Sequence, residues 1–323
     1  MEAALYDPEE GYYARAPRIG EGGDFATSPS ISPLFAAAVA RRFRRDTERF
    51  EGPVDFVEVG AGDGRFLEDF TAALRGESAA FASRVRLTAV ERSRSGRHSL
   101  CSRPPLSGTR VCASADELSP GSVDGWIFSN ELYDALPVAR VRGSPGGLEE
   151  LRVEASGNGF RWKAVSAPEE LASHLAALGI ALEPGQIGEV SPEAAPLHGT
   201  LARALARGSL VAFDYGHRAS VLYHPLARPQ GTLAVHAEGR RGGDPLDRPG
   251  EADLTAHVNW DELLRAGESE GLTTQCLSRQ GLYLTESGLF DLARTDAEKW
   301  RAFRLVDPEG MGDELSVLVQ ERC

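Results

Sequence analysis

Short apolar runs alternate with amphipathic segments in the first half of the chain, beginning near residue 54. Runs of this length that are rich in Val, Ile and Phe predict buried strands, and apolar residues that recur every three or four positions predict helices. The predicted strands are Val54–Gly60, Val85–Glu91, Thr109–Ala113 and Val123–Asn130. A helix is predicted over Arg65–Leu74, between the first two. Strands that alternate with helices indicate β-α-β units in a parallel sheet.

A further helix is predicted ahead of the first strand. Ser32 can cap its first turn, Pro33 fits its first position, and its apolar face continues to about Arg49. The preceding residues 20–33 mix Gly, Pro and Ser with a few large apolar side chains, which predicts an ordered loop rather than a free linker.

Beyond residue 137 the pattern changes to short runs separated by glycine-rich turns. Val138–Arg142, Leu148–Glu154 and Phe160–Val165 predict an antiparallel insertion of two or three strands. The other predicted elements are a helix over Pro168–Leu178, a helix from Ser191 to Arg207 that Gly208 ends, a strand over Ser209–Tyr215, a helix over Trp260–Gly271, and strands over Thr273–Leu284 and Glu314–Glu321. Residues 216–257 are predicted to be mostly loop, and so long a loop in a compact domain usually serves a function.

Composition and charge narrow the class of protein. The chain has 323 residues and a net charge of −13, which argues against a general nucleic-acid-binding surface. No apolar run reaches the roughly 18 residues that span a membrane. The first ten residues lack a basic start and an apolar stretch, so we expect no targeting peptide and a cytoplasmic location. The four cysteines form no C-x-x-C pair, and we expect neither a metal site nor disulfides.

Three glycines follow the first predicted strand in the pattern Glu58-x-Gly60-Ala61-Gly62-x-Gly64. Glycines at a strand end let the backbone turn sharply and let a ligand approach closely. The spacing is neither that of a dinucleotide-binding loop nor that of a phosphate-binding loop. The pattern therefore favours a nucleoside-like ligand without phosphate, although a tight turn with no ligand would have the same sequence.

Acidic residues follow the next two predicted strands. Glu91 ends the second strand, where a carboxylate can accept hydrogen bonds from ribose hydroxyls. Asp116 comes shortly after the third strand, where the adenine of a nucleoside would lie. Either residue alone would be an ordinary carboxylate, but in this order after the glycine loop they support a nucleoside ligand.

A third group of polar residues follows the fourth predicted strand. Asn130, Glu131 and Asp134 lie where the ligands of open α/β sheets bind, beyond the carboxyl ends of the strands. Carboxylates at this place can hold a cationic or polar nucleophile and remove its proton. Helix capping by Asn130 and Asp134 is an equally simple explanation of these two residues.

Polar residues also follow the last parallel strand and the long predicted loop. Asp214, Tyr215 and His217 would emerge at the same sheet edge, and Asp214 is a second candidate for receiving a proton. His257 could point into a cleft, but a histidine in a loop is more often polar surface.

Taken together, the motifs resemble those of the MidA-type methyltransferases, the family of the mitochondrial complex I assembly factor that methylates arginine. The segments that carry the resemblance are Leu5–Tyr13, Gly23–Pro29, Glu58–Gly64, Ser129–Pro137, Asp214–Gly216 and Asp253–Val258. They occur in the order found in the family, across almost the whole chain.

The resemblance implies an α/β fold of the class I, Rossmann-like methyltransferase type. It implies a seven-stranded, mostly parallel sheet whose last strand is antiparallel, helices on both faces, an amino-terminal lid, and a β-rich insertion between strands 4 and 5. The expected organisation is one catalytic domain with a lid and helix at 1–50, a core at 51–136 and 186–323, an inserted subdomain at 137–185 and a long loop at 216–257.

The resemblance also implies S-adenosyl-L-methionine as cofactor and S-adenosyl-L-homocysteine as product. The residues expected to contact the cofactor are Glu58, Gly60, Ala61, Gly62, Gly64, Glu91, Asp116 and Asn130, with Asp24, Phe25, Thr27 and Ser28 of the lid. Catalytic roles are expected for Asn130, Glu131, Asp134 and Asp214.

The function that follows from the resemblance is methyl transfer to an arginine nitrogen of a partner protein, with no nucleic-acid or membrane partner. Fold does not determine substrate. A small-molecule methyltransferase on the same fold, or an assembly chaperone that binds the cofactor without turnover, therefore stays open at this stage, as does a homodimer.

Overall fold

A mostly parallel β-sheet forms the centre of the molecule, with helices on both faces. The computed structural model describes residues 1–15, 23, 26–157 and 159–323. The strands are β1 Val54–Val59, β2 Val85–Val90, β3 Arg110–Cys112, β4 Val123–Asn130, β5 Ala139–Ser144, β6 Gly147–Ser156, β7 Gly159–Ser166, β8 Ile187–Val190, β9 Leu205–His217, β10 Ala234–Ala237, β11 Arg240–Arg241, β12 Asp253–Thr255, β13 Val258–Asn259, β14 Thr273–Arg279 and β15 Leu315–Arg322.

The helices differ widely in length. They are α1 Glu2–Tyr6, α2 Ser28–Ile31, α3 Pro33–Thr47, α4 Arg65–Glu77, α5 Ala79–Ala82, α6 Arg94–Ser102, α7 Glu169–Ala177, α8 Ala194–Ala204, α9 Ala219–Leu222, α10 Trp260–Ser269, α11 Gln280–Glu286, α12 Leu289–Leu292, α13 Asp296–Val306 and α14 Met311–Glu314. As predicted, the Ser32 hydroxyl caps α3 by accepting a hydrogen bond from the Leu34 N–H at 3.2 Å.

The central sheet has the strand order β14-β15-β9-β4-β1-β2-β3, and the short β13 pairs with β9. The strands β1, β2, β3, β4 and β9 run parallel to their neighbours in that part of the sheet. The last strand, β15, is antiparallel to both β9 and β14. The order reverses between β1 and β4, so the strands on either side leave a crevice at their carboxyl ends, where such folds bind ligands.

The alternation of side chains along β1 shows how the sheet joins two cores. Phe56 lies in a large cluster with side chains of α3, α4 and α11–α13, while Val57 and Val59 point the other way, into a cluster with α8. Successive strand residues point to opposite faces, so a strand buried on both sides is mostly apolar. This explains why four of the six residues of β1 are Val or Phe, while the two acidic residues, Asp55 and Glu58, are also buried.

The parallel strands and the first helices lie where the sequence predicts them. The clearest correction concerns Gly208, which was expected to end a helix but lies inside β9, because α8 has already ended at Ala204. Gly208 has a φ of +113°, and a Cβ atom there would lie 1.9 Å from the carbonyl oxygen of Gly125 in β4. The glycine therefore permits a close approach of two strands.

Residues 216–257 are mostly loop, as expected, and besides α9 they contain the short strands β10, β11 and β12, which form a small antiparallel sheet. Two other expectations about secondary structure were wrong. The predicted strand Thr273–Leu284 stops at Arg279, where pairing with β15 ends, and α11 begins at once. The insertion after β4 has four strands in the order β7-β6-β5-β8, because β8 returns to pair with β5. Each of these elements is too short to show a clear period in sequence.

Within the part of the chain that the structure describes, no helix has the length and apolar character needed to cross a membrane.

Replacing Gly208 by Ala tests the close strand approach. We expect Gly208→Ala to lower the free energy of unfolding by about 3 kcal/mol, because the new methyl group meets a backbone oxygen and the positive φ disfavours Ala. Urea unfolding measures the change. Gly76→Ala is the matched control: Gly76 lies in α4 with open space around its Cβ position, so this change should stabilise the protein by up to about 1 kcal/mol. Equal effects of the two substitutions would contradict the packing described here.

Candidate functional site

A cavity of about 1250 Å³ lies at the carboxyl ends of β1, β2 and β4. Its walls come from the glycine loop after β1, the loop after β4, the amino-terminal tyrosines and the small sheet β10–β12. Typical small-molecule sites measure roughly 300 to 1,000 Å³, so this cavity has room for more than one ligand.

The glycine loop lies directly against the loop that follows β4. Gly60 and Gly62 have φ values of +78° and +54°, which only glycine adopts easily. A Cβ atom on Gly60 would lie 2.9 Å from Leu132 Cδ1, so the two loops touch at this point. Gly60, Ala61 and Gly62 all line the cavity. Their contact with the cofactor stays a prediction.

Glu91 holds the glycine loop against the start of α6. One carboxylate oxygen accepts a hydrogen bond from the Gly62 N–H at 2.8 Å, and the other accepts one from the Ser93 N–H at 2.7 Å. Gly96, which the sequence analysis did not single out, completes this arrangement. A Cβ atom on Gly96 would lie 2.7 Å from Glu91 Cγ and 2.8 Å from the Gly62 oxygen. The signal that could have revealed it is a glycine five residues after the strand-end Glu91, in the first turn of what proves to be α6.

Several predicted cofactor contacts lie elsewhere than expected. Gly64 starts α4 behind the loop, and a Cβ atom there would lie 2.6 Å from Leu100 Cδ2, so its role is packing. The Ser28 hydroxyl is fully buried and donates a hydrogen bond to Gln280 Oε1 at 2.9 Å. Thr27 and the exposed Asp116 do line the cavity. Asp24 and Phe25 lie outside the described residues.

The loop after β4 brings two carboxyl groups to the cavity. Glu131 has a φ of +49°, a strained conformation for this residue, and its Oε1 accepts hydrogen bonds from Asn130 Nδ2 at 2.9 Å and from the Ser28 N–H at 3.3 Å. Asp134 lines the same cavity and is 4% exposed. Strain of this kind persists only where the surroundings enforce it, and it is concentrated at functional sites.

Asp214 is placed differently from the prediction that it receives a proton. It is fully buried, and its Oδ2 accepts hydrogen bonds from the Leu132 N–H at 3.0 Å and the Tyr133 N–H at 2.7 Å. Its Oδ1 accepts one from its neighbour Tyr215 at 2.9 Å. These bonds fix the backbone of the loop that carries Glu131 and Asp134. We therefore correct its role from a catalytic group to a positioning residue.

A chain of hydrogen bonds braces the same loop from the other face of the sheet. The Tyr133 hydroxyl lies 2.8 Å from His198 Nδ1, and His198 Nε2 lies 2.8 Å from Gln320 Oε1. The Gln320 amide nitrogen donates to the Leu264 carbonyl at 3.0 Å, which leaves its oxygen to accept. His198 therefore carries its proton on Nε2, and its Nδ1 accepts a hydrogen bond from the Tyr133 hydroxyl. Burial lowers the pKa of His198 to about 4, so the ring is neutral.

Burial and mutual repulsion raise the pKa values of the carboxyl groups in this region. Burial is the main cause for Glu131, whose pKa rises to about 8, and the charge of Asp214 adds to it. Burial, then the charges of Asp214, Glu131 and Asp253, raise the pKa of Asp134 well above its ordinary value. Carboxyl groups that titrate near neutral pH are suited to accept a proton from a reacting group.

Two tyrosines from the amino-terminal segment form a wall beside these carboxyl groups. The rings of Tyr6 and Tyr13 stack with centroids 5.4 Å apart. Their hydroxyls are engaged, since Tyr6 donates to the Ala135 oxygen at 2.9 Å and Tyr13 donates to Asp253 Oδ1 at 3.1 Å. In the sequence, this segment contributes only to the family resemblance, and its position at the cavity was not predicted. The Arg92 guanidinium lies over the Tyr6 ring, 4.3 Å from its centroid, so this wall already holds one cation of the chain itself.

Histidines lie at the opposite side of the cavity. His257 lines it, and its ring centroid is 5.3 Å from that of His217. Burial is the main cause that lowers the pKa of His257 to about 3 and that of His217 to about 4, so both rings are neutral at physiological pH. Among the described residues, no group of three or more His, Cys, Asp or Glu side chains is arranged to hold a metal ion.

Unpartnered buried oxygens mark where a ligand would bind. Glu58 Oε2 and Asn130 Oδ1 are buried and have no hydrogen-bond partner among the described residues, and both side chains line the cavity beside the glycine loop. Buried polar atoms normally have a partner. S-adenosyl-L-methionine, in which adenosine is joined to methionine, has amino and hydroxyl groups that can donate the hydrogen bonds that these two oxygens lack.

Relatives with assigned names are similar to this chain over most of its length. The protein arginine methyltransferase NDUFAF7 homolog of Drosophila melanogaster is 27% identical over 88% of this chain and 69% of its own length. The protein arginine methyltransferases NDUFAF7 of Bos taurus and Homo sapiens are each 26% identical over 84% of this chain. The chain spans 65% of the length of both mammalian proteins, or about two thirds.

The names of these three relatives also describe them as mitochondrial. This contradicts the cytoplasmic location expected from the first ten residues. The prediction was wrong because the composition of a short amino-terminal stretch does not determine where a protein works.

The similarity extends to solved structures and to a family. A crystal structure from Burkholderia thailandensis with bound S-adenosyl-homocysteine matches with a TM-score of 0.86 and 28% identity over 99% of this chain and 86% of that one. A second structure from that organism, without this ligand in its description, has a TM-score of 0.84 and 29% identity over 99% of this chain and 85% of that one. The family model described as "Putative S-adenosyl-L-methionine-dependent methyltransferase" matches residues 34–278. The chain belongs to this family of S-adenosyl-L-methionine-dependent methyltransferases.

Proposed function

We propose that this methyltransferase transfers a methyl group to a guanidinium nitrogen of an arginine side chain in a partner protein. The observation that carries the proposal is the loop after β4, which presents Glu131 and Asp134 to the cavity next to the stacked rings of Tyr6 and Tyr13. Carboxylates bind a guanidinium through paired hydrogen bonds. The names of the relatives support an arginine substrate for them.

The cofactor would lie between the glycine loop and the loop after β4. The residues that we propose to contact it are Thr27, Glu58, Gly60, Ala61, Gly62, Glu91, Asp116 and Asn130. Glu91 already accepts two backbone hydrogen bonds, and its oxygens keep lone pairs free for ribose hydroxyls. We further propose that residues 1–50 act as lid and first helix, and that the insertion starting at 137 includes β8, so that it ends near residue 190.

The chemistry divides between the cofactor and the protein. Bound S-adenosyl-L-methionine supplies a methyl carbon that its positive sulfur makes reactive toward nitrogen. Glu131 and Asp134 hold the guanidinium in position and orient its nitrogen, which is the main contribution that a protein makes to such a displacement. Formation of the bond from nitrogen to the methyl carbon would be matched by loss of the carbon–sulfur bond, with S-adenosyl-L-homocysteine as the leaving group. The nitrogen loses a proton in this step, and the same carboxylates accept it. Their raised pKa values make them better proton acceptors than an ordinary carboxylate.

The surroundings of the loop keep this arrangement fixed. Asp214 holds the loop backbone through the Leu132 and Tyr133 N–H groups, and His198 holds the Tyr133 hydroxyl. A small-molecule substrate would need no such large cavity, and a chaperone without turnover would have no use for carboxyl groups held at the cost of mutual repulsion.

Replacing Asp134 by Asn tests the carboxylate role. We expect Asp134→Asn, and likewise Glu131→Gln, to lower the rate of methyl transfer to arginine-containing protein at least about 100-fold, because a proton acceptor and a cation ligand are lost. Binding of S-adenosyl-L-homocysteine, measured by calorimetry, should stay within about twofold of the parent protein, in line with measurement scatter. Glu154→Gln in the β6–β7 hairpin is a control that should change neither quantity. Parent-level activity of both site variants would contradict the proposal.

Replacing Gly62 by Val tests the cofactor loop. The φ of +54° at Gly62 disfavours a β-branched residue, and its side chain would project into the cavity. We expect binding of S-adenosyl-L-methionine to weaken by at least tenfold, in keeping with about 1.4 kcal/mol or more of strain and steric conflict. Calorimetry with the cofactor checks this. Gly76→Ala serves again as a folded control, and unchanged affinity of the Val variant would refute the assignment of this loop.

The pKa of Glu131 predicts how substrate binding depends on pH. Below about 8 this carboxyl group is largely neutral, and a guanidinium binds the charged form, so binding must release a proton. Affinity for an arginine peptide should rise up to about tenfold per pH unit between pH 6 and 8 and then level off. His257 and His217 titrate at about 3 and 4, below this window. Fluorescence anisotropy with S-adenosyl-L-homocysteine present measures it. A slope that Glu131→Gln leaves unchanged would assign the effect to another group.

A further inference from the structure

The small sheet β10–β12 presents a row of three polar residues to the cavity. His236 in β10 lies opposite Asp253 in β12 on one side and opposite Arg241 in β11 on the other. Residues directly opposite each other in antiparallel strands share a face. All three line the cavity. The row therefore runs along one wall, from a carboxyl group at one end to a guanidinium group at the other.

The two ends of this row differ in depth. Asp253 is 2% exposed and accepts the hydrogen bond from the Tyr13 hydroxyl. Arg241 is exposed, at the mouth of the cavity. The charge of Arg241 contributes to lowering the pKa of both His236 and His257, for which burial is the larger cause. The guanidinium is therefore close enough to the cavity wall to act on groups that lie along it.

Two neighbouring cations lie at the mouth of the cavity. Among the described residues, no carboxylate forms an ion pair with Arg240 or Arg241, and both side chains are exposed and line the cavity. The chain as a whole has a net charge of −13, so this cationic pair differs in sign from the protein as a whole. Both guanidinium groups can meet a negative group that enters with the substrate.

We propose that Arg241, with Arg240 beside it, is a subsite for an acidic side chain of the substrate protein, located near the arginine that is methylated. This inference rests on the proposed function, since it extends the same site. The depth of the cavity would hold the guanidinium of the substrate between Glu131 and Asp134, and its mouth would hold the acidic side chain. Opposite charges at the two ends then set the direction in which the substrate segment lies.

The charge of Asp253 acts on both Glu131 and Asp134, so Asp253 marks the deep end of the cavity. Its distance from Arg241 indicates the separation of the two substrate residues. Neighbouring strands lie about 4.8 Å apart, so the backbones of Asp253 and Arg241 are about 10 Å apart, two strand spacings. An extended chain rises about 3.4 Å per residue, and 10 Å therefore corresponds to about three residues. The acidic residue is expected about two to four positions from the methylated arginine.

A family of synthetic peptides tests this prediction. Each peptide has one central arginine in a neutral background, with Glu placed in turn at every position up to five residues away, and a matched peptide has Gln at that position. We expect kcat/KM to be up to about fivefold higher for Glu than for Gln at two to four residues from the arginine, the size of one exposed ion pair. The preference should act through KM and should weaken as salt is raised.

Substitutions in the enzyme then assign the preference to Arg241. Arg241→Glu should abolish it, and the double variant Arg240→Glu/Arg241→Glu should prefer peptides with Lys at the same positions. Arg301→Glu is the control: it makes the same change of charge at an exposed arginine of α13, away from the cavity, and should keep the preference for Glu.

The outcomes separate the two levels of the proposal. Equal kcat/KM for Glu and Gln peptides at every position, or a preference that persists in Arg241→Glu, would overturn the acidic subsite while arginine methylation stands. Failure of the parent enzyme to methylate any arginine peptide or to bind one would contradict the proposed function, and the acidic subsite with it.

Discussion

The buried carboxylate of Asp214 holds the centre of this site together. Asp214 lies in β9, next to β4, and accepts hydrogen bonds from the N–H groups of Leu132 and Tyr133. The sharp bend at Glu131 would otherwise leave these two N–H groups without a partner. An unpaired N–H in the protein interior costs about as much as a lost hydrogen bond, so the bend and the carboxylate depend on each other. Because the bend is held, Glu131 and Asp134 both reach the cavity.

This arrangement brings several carboxyl groups close together, and that has an electrostatic consequence. Burial, together with the charges of Asp214 and Glu131, raises the pKa of Asp134, and the pKa of Glu131 rises to about 8, so the charged forms of these groups are disfavoured in the absence of a cation. A guanidinium that enters relieves the repulsion and lets the carboxyl groups ionise around it. The site is thus stabilised by the charge it is built to receive, while the neutral chain from Tyr133 through His198 to Gln320 fixes the geometry without adding charge.

The sequence predicts the core of the fold well because β1 and β4 are buried on both faces and are rich in Val, Ile and aromatic residues, and because glycines and carboxylates at strand ends follow a general rule of α/β sheets. It predicts less about what side chains contact. In the sequence, Asp214 and Glu131 are both carboxylates at the end of a predicted strand and cannot be told apart. In the structure, backbone N–H groups point at Asp214, which fixes the loop, whereas Glu131 lines the cavity. Gly208 has the sequence signature of a helix end, but its reason is a carbonyl oxygen of Gly125, 83 positions away. The row Asp253–His236–Arg241 could not be foreseen, since strand pairing across residues 234–255 creates it.

The cavity is acidic at its deep end and basic at its mouth, and this difference affects which kind of substrate it can bind. A metabolite with a single cationic group would be held by the deep carboxyl groups alone and would make no contact with Arg240 and Arg241 at the mouth. A segment of protein can satisfy both ends, because its side chains reach the deep and the outer groups at once while its backbone stays near the mouth. Binding energy from the outer contact can then be used to hold the arginine still, which is how contacts remote from the reacting atoms contribute to rate. The wall formed by β10–β12 thereby links the choice of substrate to the position of the reacting nitrogen.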